Sequence, residues 1–115
     1  MVSWTSPRTW VAGENPTAAT LNVHLRDNVL YLFEKIAIGN LSITPSAPNT
    51  PTSVTVTFPF TFASAPIVVA TAQTGLPGTT VLGVGADSET TTNFRCTVTR
   101  TTTTETGINW IAVLP

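Results

Sequence analysis

The apolar positions of this chain change period once. The first sixteen residues have no regular spacing, although Trp4 and Trp10 fall there. Over residues 17–38 the pattern is helical. Ala18, Leu21, Leu25, Asn28, Leu32 and Lys35 follow a 3-4-3-4-3 spacing, a heptad seam with one polar member, Asn28. Beyond Asn28 the seam widens through Val29, Phe33 and Ile36. The helix starts either at Thr17 as N-cap or at Asn15 with Pro16 in the first turn, and Gly39-Asn40 supplies the stop.

After residue 40 the period drops to two. Six strands are predicted, over 41–45, 53–62, 67–73, 80–86, 93–100 and 107–114. In 53–62 the residues Val54, Val56, Phe58, Phe60 and Phe62 alternate with threonines and Pro59. That proline lacks an N–H, which places the strand at an edge or at a bulge. The 67–73 segment is almost continuously apolar, as a central strand would be. Gly83 and Gly85 share one face of the fourth strand. Phe94, Cys96 and Val98 point inward in the fifth, and Trp110 reads as core in the last. No helix separates the strands, so no βαβ unit is expected. The predicted fold is mainly β: an N-terminal arm and one helix over 1–40, then a six-stranded antiparallel β-sandwich over 41–115.

Two readings of the helix follow. It packs as an amphipathic helix on its own β-domain, or it forms a short symmetric bundle, three-stranded, in which Asn28 fixes the register. In the second reading Leu21, Leu25, Asn28, Leu32 and Ile36 are the oligomerisation residues. Trp4 and Trp10 should also dock, on the same chain or on another protein, because exposed aromatics are a liability.

Composition narrows the function. Only 10% of the 115 residues are charged, and 24 are threonine, a residue suited to pleated strands. Five cations against six anions give no basic field, so no nucleic-acid partner is expected. No apolar run is long enough for a membrane span, and the N-terminus lacks a signal-peptide pattern, so the chain is expected to begin near Met1 without membrane insertion. The single cysteine, Cys96, permits no internal disulfide and reads as an inert buried thiol. One His and one Cys cannot make a metal cage. His24 lies three residues from Asp27 but has no nucleophile beside it. Asp87 and Glu89 share a loop without the central glycine of a cation site. Gly-Val-Gly at 83–85 lacks the third glycine and the following helix of a dinucleotide loop. No catalytic residues, metal or cofactor are therefore expected.

Two stretches carry a family resemblance. Residues 4–32, with Trp4-x-x-Pro7-Arg8-Thr9-Trp10 and a Leu21-Asn22-x-His24-Leu25-Arg26-Asp27-Asn28 helix, resemble the N-terminal segment of tail-associated structural proteins of bacteriophages. The resemblance implies a segment for oligomerisation and virion attachment, with Trp4 and Trp10 as attachment residues. Residues 53–114 are similar to the H-type lectin domain at Phe60, Phe62, Pro66, Val68, Phe94, Val98, Trp110 and Ala112. That family is a six-stranded antiparallel sandwich that trimerises and binds sugars between subunits. Its ligand positions do not carry over, because Gly83–Gly85 and Thr101–Thr104 stand where its arginine and its aromatic or histidine residues would be. Arg100 and Glu105 are the remaining candidate glycan contacts.

The expectation is a phage virion structural protein made in the host cytoplasm. It would be a tail-attached homotrimer, or a multiple of three, contacting other tail proteins and carrying a receptor-binding sandwich, with a host cell-surface glycan as a candidate partner. The alternatives are a tail or capsid decoration protein without ligand, a soluble bacterial lectin, and, least in keeping with the residues, a small hydrolase.

Overall fold

A computed structural model describes residues 2–115; Met1, the expected chain start, lies outside the described residues. The chain divides into two compact units at Lys35/Ile36.

The first unit is the arm and the helix. Helical backbone runs through α1 (Ala18–Leu21), a π-helical stretch (Asn22–Asp27) and α2 (Asn28–Phe33). Thr17 is the N-cap: its Oγ1 accepts from the Thr20 N–H at 3.2 Å. The helix ends at Phe33, five residues short of the predicted end, with Glu34 as C-cap at ψ 5°. Ile36 is therefore not a helical seam residue. It opens strand β1 (Ile36–Ile43), which begins five residues before the strand predicted over 41–45.

The reason is long-range pairing. β1 runs antiparallel to the last strand with Ile36 opposite Val113 and Ile43 opposite Thr106. In this register Ala37, Leu41 and Ile43 face the core, and Gly39 lies under Trp110. A Cβ on Gly39 would stand 2.6 Å from the indole Cζ2, so this glycine makes room for the ring and is not a helix stop.

The second unit is the sandwich. It contains β1, β2 (Thr52–Thr57), β3 (Ile67–Ala72), β4 (Val81–Asp87), β5 (Asn93–Arg100) and β6 (Thr106–Val113). Two three-stranded antiparallel sheets form, with orders β1-β6-β3 and β2-β5-β4. β2 is an edge strand and stops at Thr57, two residues before Pro59, as the missing N–H requires. β3, predicted central, is an edge. The centres are β5 and β6. The apolar run of β3 arises because both of its faces are aliphatic: Val68 and Ala70 turn inward, while Ile67 and Val69 are exposed.

Between the sheets the aromatic residues interlock. Phe58 stacks on Phe94 at 5.5 Å between centroids and meets Phe62 edge-on at 5.0 Å, while Trp110 lies 5.3 Å from Phe94. Ile43, Val98, Ile108, Cys96 and Ala112 fill the rest. Burial pushes the Cys96 thiol pKa up. The thiolate is the reactive form, so Cys96 is expected to resist iodoacetamide at neutral pH in the native protein and to alkylate fully in strong denaturant, as read by intact mass. Native-state labelling as fast as in denaturant would contradict this core.

Candidate functional site

Three surfaces could do work. The first is the arm packed on its helix. Asn28 is buried, and its side chain binds both polar groups of one arm residue. The Thr5 N–H donates to Asn28 Oδ1 at 2.9 Å, and Asn28 Nδ2 donates to the Thr5 carbonyl at 2.8 Å. Trp4 packs on Tyr31 at 5.9 Å and Trp10 sits edge-on to His24 at 6.4 Å. Arg8 lies over the Trp10 ring at 4.7 Å and pairs with Glu14. Gly13, at φ 83°, allows the tight turn in which the Glu14 N–H reaches the Val11 carbonyl. The tryptophans thus dock on their own helix and remain 45% and 42% exposed.

This corrects the place of Asn28. A heptad seam needs it beside Leu21, Leu25 and Leu32, yet the arm covers it while Leu25, Val29 and Leu32 stay exposed. The π-helical stretch explains the change, because its wider turns rotate everything after Asp27 relative to Leu21 and Leu25. Asn28→Ala is expected to strip both hydrogen bonds from Thr5 and to cost about 1–3 kcal/mol locally. The check is amide hydrogen exchange: faster at Thr5, unchanged in the sandwich. A changed subunit count would instead return Asn28 to a seam.

The second surface is the outer face of β1-β6-β3. Ile36, Val113 and Ile67 form one row across the three strands, and Ile38, Ile111 and Val69 the next. All six are exposed, Ile38 to 72% and Val69 to 59%. Further along, the face turns polar at Asn40, Asn109 and Thr71. Apart from Ile36, expected in a helical oligomerisation seam, these aliphatic residues were not singled out from the sequence. The signal was present in β6, where Ile111 and Val113 alternate with inward Trp110 and Ala112, so that both faces read as apolar.

The third surface is polar. At the end of β5, Arg100 donates from Nε to Thr102 Oγ1 and from Nη1 to Thr106 Oγ1, both at 2.9 Å, so its guanidinium braces the threonine loop. Glu105 is exposed in that loop. The structure brings Arg100 and Glu105 to one connection but ties the arginine to hydroxyls of its own loop. On the outer face of β2-β5-β4, Arg95 and Asp87 form a two-point pair and Ser53 Oγ lies 2.7 Å from Thr97 Oγ1. Among the described residues no cluster of three or more His, Cys, Asp or Glu could hold a metal ion. No helix is long and apolar enough to cross a membrane.

The second unit is thus a two-sheet antiparallel β-sandwich with one bare aliphatic face and one polar face. Residues 38–113 match the family described as "Putative tail fiber protein gp53-like, C-terminal", and the chain belongs to that family. A solved structure, an N-truncated R1-type pyocin tail fibre, is similar with a TM-score of 0.52 and 26% identity over 68% of this chain and 68% of that one. No curated protein matches. The chain is thus a phage tail fibre-like protein with six antiparallel strands in two sheets.

Proposed function

We propose that this protein is a non-enzymatic homotrimeric subunit of a phage tail, whose H-type lectin-like sandwich binds a receptor on the host surface. The observation that carries the reading is the uncharged aliphatic face of β1-β6-β3. Six branched side chains in two rows, without a charge among them, are suited to burial against copies of the same chain. The helix adds a second apolar strip, Leu25, Val29 and Leu32. The half-exposed rings of Trp4 and Trp10 serve attachment to a neighbouring tail protein. Three copies on one axis raise the effective concentration of weak receptor sites, which suits a domain with few charged anchors. Arg100 and Glu105, at the threonine loop, are the glycan contacts of this reading.

The test is the solution mass of the full chain by light scattering, repeated with Leu25→Ser and Leu32→Ser combined. A mass of three chains, or a multiple of three, that falls in the variant supports the trimer. A stable monomer in both overturns it.

A further inference from the structure

We propose that the outer face of β2-β5-β4 carries a binding site for a neutral saccharide, centred on Asp87, Arg95 and Gly85. The inference rests on the receptor-binding reading and deepens it by naming a site and a ligand class. It adds a second set of contacts, separate from those of Arg100 and Glu105.

The site is an open cavity of about 430 Å³ lined by residues of β4 and β5 together with Ser53 of β2. Arg95 and Asp87 are register partners on β5 and β4, and Ser53, Thr97 and Gly85 form the adjacent row across the sheet. Pro51, just before β2, completes the lining. Arg95 Nε donates to Asp87 Oδ1 at 2.7 Å, and a terminal guanidinium nitrogen donates to Oδ2. A guanidinium has five N–H donors and a carboxylate about four lone-pair sites, so the pair keeps free donors and free acceptors side by side.

Charge then selects the ligand. A phosphate or carboxylate drawn to Arg95 meets the Asp87 carboxylate, and a cation drawn to Asp87 meets the guanidinium. What suits such a site is an uncharged group that donates and accepts from adjacent atoms, as vicinal hydroxyls of a sugar do. The Ser53 and Thr97 hydroxyls extend the same chemistry along the cavity. The hydrogen bond from Arg95 holds the Asp87 carboxyl below the usual carboxylate range, so it remains an acceptor at any physiological pH.

Gly85 is an independent observation. Its φ is not in the left-handed region, and a Cβ placed there would meet nothing within 4 Å. Neither backbone conformation nor packing calls for glycine, and glycine in a strand interior costs stability. What it does is leave the cavity floor bare. A ligand that approaches the strand closely gives that bareness a use.

The experiment is a titration of the isotopically labelled full chain, read in amide nitrogen–proton spectra. The probes are glucose, galactose, rhamnose and N-acetylgalactosamine, with sialic acid and inorganic sulfate as anionic controls. At least one neutral sugar is expected to shift the signals of Gly85, Asp87, Thr97 and the Arg95 side chain, with a dissociation constant of about a millimolar. Gly85→Thr is expected to weaken that binding tenfold or more. It should keep the parent fold, because threonine favours strands and its Cβ has open space here. No shift with any neutral sugar, shifts with the anions alone, or undiminished binding by Gly85→Thr would overturn the site. Adhesion of the fluorescent chain to bacterial cells separates the two readings. Equal adhesion by parent and Gly85→Thr removes this site but leaves a receptor-binding protein. Sugar-induced shifts without adhesion to cells keep the site and remove the receptor role.

Discussion

Phe94→Ala is expected to lower the stability of the protein by about 3–5 kcal/mol, a large fraction of the roughly 5–15 kcal/mol that holds a domain folded. Phe94 is fully buried, on the central strand of its sheet, with Phe58 stacked on its ring and Trp110 edge-on to it, and those two rings touch each other at 5.8 Å. Truncation loses the burial of the ring, leaves a cavity between rigid aromatic neighbours, and breaks two ring–ring contacts. The site can collapse little, because β5 is held by hydrogen bonds on both edges. Urea unfolding followed by far-ultraviolet circular dichroism, at one fixed protein concentration, measures the difference. Phe94→Leu is expected to recover more than half of the loss. A penalty below about 1 kcal/mol for the alanine variant would mean that the two sheets do not pack as described.

Ile38→Asp is the variant expected to change assembly most. Ile38 is the most exposed of the six aliphatic residues on the outer face and stands in a row with Ile111 and Val69. Within the monomer its side chain touches little, so an aspartate there leaves the fold nearly unaffected. In a trimer built through this face, each copy would bury an unpaired carboxylate. Removing one partner of a buried ion pair costs about 3–5 kcal/mol because it strands a charge, and the same penalty applies here. At about 1.4 kcal/mol per tenfold, association should weaken by at least a hundredfold per contact. Light scattering should show the mass of one chain, with a parent-like circular dichroism spectrum. An unchanged mass would exclude this face from the interface.

The strands from β2 onward could be read from the sequence because a half-buried strand must alternate. The predicted spans of β3 to β6 fall within a residue or two of the observed ones. The helix end could not be read in the same way. Ile36 satisfies a widening heptad seam and, with Ile38, a two-residue alternation equally well, and pairing with β6 decides between them. Asn28 was legible as a special polar residue but not its partner, because nothing in a heptad pattern announces that an arm residue 23 positions earlier will occupy it. The exposed face of β3 was hidden for a related reason. An aliphatic run reads the same whether its second face is covered by a third layer of the domain or by another copy of the chain. Arg95 and Asp87 lie eight residues apart. Only the register of the β4-β5 hairpin, which includes an irregularity between Val81 and Gly83, makes them neighbours.

The strand order has a consequence for synthesis. The middle strand of the first sheet is β6, which is made last, and its partners β1 and β3 precede it by some tens of residues. During translation β1 and β3 have no native neighbour in that sheet and expose branched aliphatic residues along unpaired edges. Such pairing across long loops is slow, and edges left waiting invite association with other chains. Loss of β6 would therefore undo a whole sheet and not merely one border of it. A sandwich arranged in this way closes its first sheet only once β6 has emerged, so β1 and β3 must wait for a strand made after all the others.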